Sequence, residues 1–355
     1  MLRRVGGYLI RRTYLAIRYN FLPRVGHELV KRRRPERLLS EWAMATEPGG
    51  LITLGSKVCV FVHWDGAGDV RPHVLNQVQS LAEAGLSVVF VTNAGKLLPG
   101  PMARLQTMCA AILIRGNVGY DFGAWREGLG RLALPRPDTA MVVIANDSVY
   151  GPVRSLASVL GRIDFGLADV WGCTDSWQHR YHLQSYFMAF SPAVLRSPVW
   201  SAFWADVRPT WSKGWLIRLY EVGLTQALLK AGFRCRAIWP YQALVRDIDA
   251  ELLMDHKEGG PNLADPAIRA RQVHARRLRA AVVERVALNP TSDLWRQLLS
   301  AGYPFIKREL LRDNPTRVPD VAEWRSVLAD TGGCVRGALG PIELDLQRTL
   351  KNRAP

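Results

Sequence analysis

The chain has no apolar run near the ~18 residues that a membrane-crossing helix requires, and no signal-type apolar segment follows its N-terminal charges. A membrane-spanning or secreted protein is therefore not expected. Cysteine is scarce: Cys59, Cys109, Cys173, Cys235 and Cys334 are widely spaced and never form a C-x-x-C pair. That pattern argues against a disulfide framework or a zinc module and fits a reducing, cytoplasmic compartment. No H-E-x-x-H, G-x-S-x-G or G-x-x-x-x-G-K-[ST] motif occurs, so zinc-peptidase, elbow-type serine hydrolase and P-loop readings fall away. The dinucleotide signature G-x-G-x-x-G is missing as well.

Acidic residues are also in short supply. The chain carries 47 Lys+Arg against 31 Asp+Glu, a formal charge of +16. The imbalance is uneven, with residues 1–40 at +9 and the other 315 at +7. In that first segment Ile10, Tyr14, Ile17 and Phe21 have the spacing of one helix face, and Arg4, Arg11 and Arg18 repeat beside it. A basic amphipathic helix of this kind suits an anionic membrane surface, each basic residue there contributing about 1 kcal/mol. Docking of the stripe on the protein's own core is the alternative. Nucleic acid is not an expected partner, because no RRM, KH or zinc module is present.

At roughly 150 residues per domain the length suggests two domains, or one large domain with appendages. A Pro48-Gly49-Gly50 break separates a basic segment (1–50) from an α/β region (51–255), and strand signals fade over 256–355, read as a helical C-terminal region. In the middle region, strands are expected at 57–62, 87–92, 111–115 and 141–145, with a helix at 72–83. Helices are expected at 267–288 and 294–311. Strands alternating with helices imply a mainly parallel sheet, whose ligands bind at the carboxyl ends of the strands. Those ends are polar: His63 and Asp65, Asn93, then Arg115, Asn117 and Asp121, then Asn146-Asp147-Ser148. Four such ends in one register point to a shared ligand site.

Asp147 suits an oxygen-liking divalent cation shared with a diphosphate, although a turn-initiating Asp has equal standing. Arg115 and Asn117 could contact phosphate or ribose, with Gly119 and Gly123 allowing close backbone approach; Asp121 could instead cap a helix starting near Gly123. Glu221 opens a helix over 220–233, where it would suit the helix dipole or act as a general base.

The segments 115–129 (RGNVGYDFGAWREGL), 142–153 (VVIANDSVYGPV), 171–176 (WGCTDS), 182–190 (HLQSYFMAF), 220–225 (YEVGLT) and 289–315 (NPTSDLWRQLLSAGYPFIKRELLRDNP) resemble the rhamnan synthesis protein F family. More distantly, the order of motifs resembles inverting GT-A glycosyltransferases. The resemblance implies a GT-A-like catalytic domain over 51–255 that moves L-rhamnose from dTDP-L-rhamnose to a lipid-linked glycan acceptor in cell-surface polysaccharide (O-antigen or rhamnan) biosynthesis. It implies Glu221 as catalytic base and Mg²⁺ or Mn²⁺ on Asp147, and His63, Asp65, Asn93, Arg115, Asn117, Asp121, Asn146 and Ser148 around the donor. Trp171, Asp175, His182, Gln184 and Trp215 are acceptor-side candidates. The implied location is cytoplasmic, peripheral on the inner face of the membrane. Asn146-Asp147-Ser148 has one carboxylate where the DxD-type metal motif has two. A different nucleotide sugar, or a non-catalytic place in a polysaccharide-assembly complex, are the competing readings.

Overall fold

The computed structural model describes residues 41–44, 52–210, 212–254, 265–332 and 334–351. The expected amphipathic helix over residues 1–40 lies outside them. The described chain is a mixed α/β structure whose mostly parallel central sheet is flanked by helices.

Four strands follow the expectation within a residue: β2 (Lys57–His63), β3 (Ser87–Thr92), β4 (Ala111–Ile114) and β5 (Met141–Asn146). They lie in the order β4-β3-β2-β5, all parallel. Each is apolar on both faces because both faces are covered. Cys59 and Phe61 of β2 enter one core layer, with Val74, Val78 and Leu81 of the helix Pro72–Glu83. Val58, Val60 and Val62 enter the other, with Phe122, Trp125 and Leu129 of the helix Tyr120–Arg131. Trp125 is fully buried, and its indole N–H is shared by Val60 O at 3.1 Å and Ala145 O at 3.2 Å. Truncating such a side chain costs about 3–5 kcal/mol.

The sheet continues past β5 through β9 (Phe187–Phe190), β7 (Val170–Ser176) and β10 (Cys235–Trp239), while β8 (His182–Leu183) pairs with β7. In this extension β9 is antiparallel to both β5 and β7, β8 is antiparallel to β7, and β10 is parallel to β7. The reversal delivers Gln184, Ser185 and Tyr186, just before β9, to the edge where the parallel strands end. At the far edge β1 (Glu41–Met44), inside the segment read as the basic arm, pairs antiparallel with β4.

The region after 256 is mainly helical, but one expected helix is interrupted. In place of a helix over 294–311 there are the helix Trp295–Ser300, a two-residue strand β11 (Ile306–Lys307) and the helix Arg308–Arg312. Gly302, at φ 82°, and Pro304 end the first helix. β11 pairs antiparallel with β6 (Val149–Tyr150), which directly follows the Asp147-Ser148 turn. Leu298, Tyr303, Leu310, Trp324 and Ile342 join the same core layer as β2, so packing runs unbroken across the 255/256 boundary.

Candidate functional site

From β2 the chain steps outward through β3 to β4 and then returns to β5 on the other side of β2. Such a reversal leaves a crevice beyond the carboxyl ends of the two strands that flank it. A cleft of about 800 Å³ opens there. Asp65 follows β2, Asn146 ends β5, and Asp147 and Ser148 form the turn after it; Tyr120 and Asp121 also line the cleft. His182, Gln184, Ser185 and Glu221 also line it, as do Lys307, Arg308, Arg312 and Arg348. No helix among the described residues is long and apolar enough to cross a membrane.

Asp121 does not cap a helix starting near Gly123. The helix starts at Tyr120, after Gly119 at φ 78°, which puts Asp121 in its first turn. Its carboxylate accepts a hydrogen bond from Asn146 Nδ2 at 2.8 Å. Burial, then the neighbouring charge of Asp147, pushes the Asp121 carboxyl up from 3.8 to about 7. Gly123 gives room to the chain itself, not to a ligand: a Cβ there would meet Val118 O at 2.6 Å.

Glu221 does not open a helix either. The helix Lys213–Leu216 runs through a π-turn, Ile217–Glu221, into the helix Val222–Lys230, and Glu221 closes the π-turn. Single π-turns inside helices are frequent at functional sites because the extra residue re-aims a side chain. The half-buried Glu221 carboxylate accepts the Ser185 N–H at 3.1 Å. Thr225 Oγ1, one turn later, accepts the Leu183 N–H at 3.1 Å and fixes the helix to β8. The preceding Tyr220 packs among Phe122 and Phe203, its hydroxyl donating to Arg208 O at 2.9 Å, so it lies in the core.

Of the residues singled out in the sequence, Asp65, Asp121, Asn146, Asp147, Ser148, His182, Gln184 and Glu221 line the cleft. His63, Asn93, Arg115, Asn117, Trp171, Asp175 and Trp215 are not among its lining residues. His63 is buried on Phe90 with Nδ1 3.1 Å from Thr92 Oγ1, and burial lowers its pKa although Asp147 and Asp65 oppose the shift. Arg115 is fully buried; it donates to Glu127 Oε2 at 2.8 Å, to Val118 O at 2.8 Å and to Asn93 Oδ1. That network engages Arg115 and Asn93 inside the protein. Asn117 is exposed outside the cleft. Trp171 is a core residue whose indole donates to Asp164 O at 3.0 Å. Asp175 accepts the Tyr241 N–H at 2.6 Å, and burial raises its pKa. Trp215 is half-buried, though its helix neighbours Lys213 and Leu216 reach the cleft.

The donor set at Asp147 does not fit a resident divalent cation. Asp147 Oδ2 is paired with Arg308 Nη1 at 3.0 Å. Asn146 turns its amide nitrogen to Asp121, and its Oδ1 accepts the Ser148 N–H at 3.1 Å. Among the described residues no three His, Cys, Asp or Glu side chains converge as metal ligands. A cation resident without substrate needs several such donors, whereas one completed by waters and substrate phosphates would still need a free carboxylate, and that of Asp147 is held by Arg308. The sequence reading gave Lys307 and Arg308 no role, although they stand inside the 289–315 segment singled out for its resemblance. Only the β6–β11 pairing carries them to the cleft.

The rhamnan synthesis protein F family matches residues 88–256. Virulence protein VirA of Vibrio anguillarum is 30% identical over 239 residues, covering 66% of this chain and 72% of VirA. The uncharacterized protein y4gN of Sinorhizobium fredii is 29% identical over 174 residues, 48% of this chain and 45% of y4gN. The cleft residues Asp121, Asn146, Asp147, Ser148, His182, Gln184 and Glu221 all fall inside the span matched by the family. On these matches, the chain belongs to the rhamnan synthesis protein F family.

Proposed function

We propose that the chain is an inverting glycosyltransferase of GT-A-like architecture, transferring L-rhamnose from dTDP-L-rhamnose to a lipid-linked glycan during cell-surface polysaccharide synthesis. The observation that carries this reading is the placement of Glu221 and the Asp147-Ser148 turn on one cleft at the reversal point of the sheet. The family membership supports a part in polysaccharide synthesis, and the cleft geometry supports transfer chemistry.

The nucleotide lies over the ends of β2 and β5, and the sugar faces Glu221. Glu221 takes the proton of an acceptor hydroxyl as the oxygen attacks the anomeric carbon from the side opposite the diphosphate. The Ser185 N–H holds one oxygen of that carboxylate, fixing its direction. His182 donates from Nδ1 to Arg180 O at 2.8 Å and Gln184 donates to Asn289 Oδ1 at 3.3 Å; both present polar groups to the acceptor. No step is routed through a metal, because Asp147 is engaged with Arg308.

The basic segment 1–40 serves as the membrane-surface contact that brings the protein to its lipid-linked acceptor at the inner face of the cytoplasmic membrane. Removing residues 1–40 is expected to lower co-sedimentation with vesicles containing phosphatidylglycerol; unchanged sedimentation contradicts the membrane role.

The test of the activity uses purified full-length protein, a panel of nucleotide sugars and a lipid-diphosphate glycan acceptor, each with EDTA, Mg²⁺ or Mn²⁺. Transfer from one donor is expected. Failure with every donor, beside a working control enzyme, favours the non-catalytic reading.

A further inference from the structure

The pairing of β11 with β6 sets Ile306 opposite Tyr150 and Lys307 opposite Val149, and the Arg308 N–H donates to Ser148 O at 3.1 Å. Two consecutive cations are thereby seated on the turn where a metal motif would be expected. Lys307 Nζ reaches Ser148 Oγ at 3.3 Å. Arg308 Nη1 donates to Asp147 O at 2.8 Å and to Asp147 Oδ2 at 3.0 Å. The guanidinium lies 5.8 Å from the Tyr150 ring centre, and Tyr150 is itself anchored by a 2.6 Å hydrogen bond to Asp345 Oδ2. Arg308 Nε is buried with no hydrogen-bond partner.

We infer that Lys307 and Arg308 form the diphosphate-binding site of the donor, supplying as fixed side-chain charge what a divalent cation supplies elsewhere, so that donor binding and transfer need no metal. The inference rests on the glycosyltransferase reading above. In that reaction the bond from the anomeric carbon to the β-phosphate oxygen breaks, and its electron pair stays on that oxygen. The bond from the acceptor oxygen to the anomeric carbon forms, and the hydroxyl proton passes to Glu221. The departing nucleoside diphosphate therefore gains one negative charge beside Lys307 and Arg308. Cations already held in place stabilise that charge without reorganising as it develops. Asp147 becomes a positioning residue: it neutralises and orients Arg308. Lys307 has no such close partner; the carboxylates of Glu221, Glu309 and Asp121 influence it at longer range, and burial lowers its pKa. A desolvated ammonium of this kind is favourably paired by an incoming phosphate oxygen.

Calorimetric titration of the full-length chain with thymidine diphosphate, uridine diphosphate and inorganic pyrophosphate, in EDTA and then in Mg²⁺ or Mn²⁺, tests this. Nucleoside diphosphate affinity in EDTA is expected to lie within about threefold of that with a cation. Lys307→Gln and Arg308→Gln should each weaken binding about tenfold or more in both buffers, as loss of a charge-assisted hydrogen bond does. Lys307→Arg should restore most of the Lys307→Gln loss. Binding that vanishes in EDTA and returns with Mg²⁺ or Mn²⁺ overturns the inference alone. So does unaltered affinity in Lys307→Gln. No binding of either nucleoside diphosphate in any buffer overturns the inference and the glycosyltransferase reading together. The wild-type comparison needs no variant, so a substitution that fails to fold does not remove the test.

Discussion

Arg115 and Arg308 both stand beside the carboxyl ends of the central strands, and a sequence reading favours the first. In the structure their surroundings differ. Arg115 is closed off: its ion pair with Glu127 and its bonds to Asn93 and Val118 lie within the protein, and its side chain has no exposure. Arg308 has one close carboxylate, a side chain 18% exposed, a buried Nε without a partner and a place on the cleft wall. An arginine at a strand end is thus either a brace or a ligand group, and its internal hydrogen bonding decides which. The loop after β4 braces the helix that carries Asp121. The C-terminal segment, whose Arg308 lies 161 residues after Asp147, adds Lys307, Arg308, Arg312 and Arg348 to the cleft lining.

The largest effect that would test this contrast is on stability at Arg115. Arg115→Met leaves the Asn93 carbonyl without its partner and the Glu127 carboxylate with only the 3.8 Å pairing to Arg131, and a loss of about 3–5 kcal/mol is expected from urea unfolding. Nucleoside diphosphate affinity of the folded protein should not change; a specific loss of affinity at full foldedness would make Arg115 a ligand group after all.

Next in size is Glu221→Gln. Transfer should fall by about 10²-fold or more, close to 2.7 kcal/mol of barrier, with the unfolding midpoint kept. Equal turnover in the variant would remove Glu221 from the role of base.

A smaller effect is expected at Asp121 and depends on pH. Its carboxyl titrates at about 7 in the fold against a usual 3.8, raised by burial first and then by Asp147. Between those values the unfolded chain is ionised and the folded one holds its proton. Asp121 therefore lowers stability progressively as pH rises from about 4 to about 7, and adds no further loss above that. Asp121→Asn should be more stable than the wild type at pH 8 by on the order of 1–3 kcal/mol, and the gain should vanish near pH 4. A pH-independent difference in thermal unfolding would contradict that environment.

The smallest effect is at Asn117, exposed in the same loop as Arg115. Asn117→Ala should alter stability by no more than about 0.5 kcal/mol and leave nucleoside diphosphate affinity intact. A marked loss of affinity would extend the donor site onto that loop.

The buried strands β2, β3 and β5 were legible because continuous apolar runs bounded by turn residues have few other readings, and Pro72 marks its helix start by fixing the first turn. The polar strand ends led to the cleft but not to the direction of each side chain. Nothing in the local pattern around Arg115 shows that Glu127 and Asn93 converge on it, since those two contacts come from separate elements. The strands β6 and β11 have two residues each, too few for any periodicity to register. Their pairing is set by tertiary packing, and with it the arrival of Lys307 and Arg308. The π-turn at Ile217–Glu221 is equally silent in sequence, which is why Glu221 reads as a helix start when it lies inside a longer helical run.

The central claim is sugar transfer with inversion at the cleft that holds Glu221. Its most direct test is nuclear magnetic resonance of the glycan made by the full-length protein from dTDP-L-rhamnose and a lipid-diphosphate acceptor. The account predicts a new rhamnosyl residue whose anomeric configuration is opposite to that of the donor. A product that retains the donor configuration, or an acceptor left unmodified beside a working control, would contradict it.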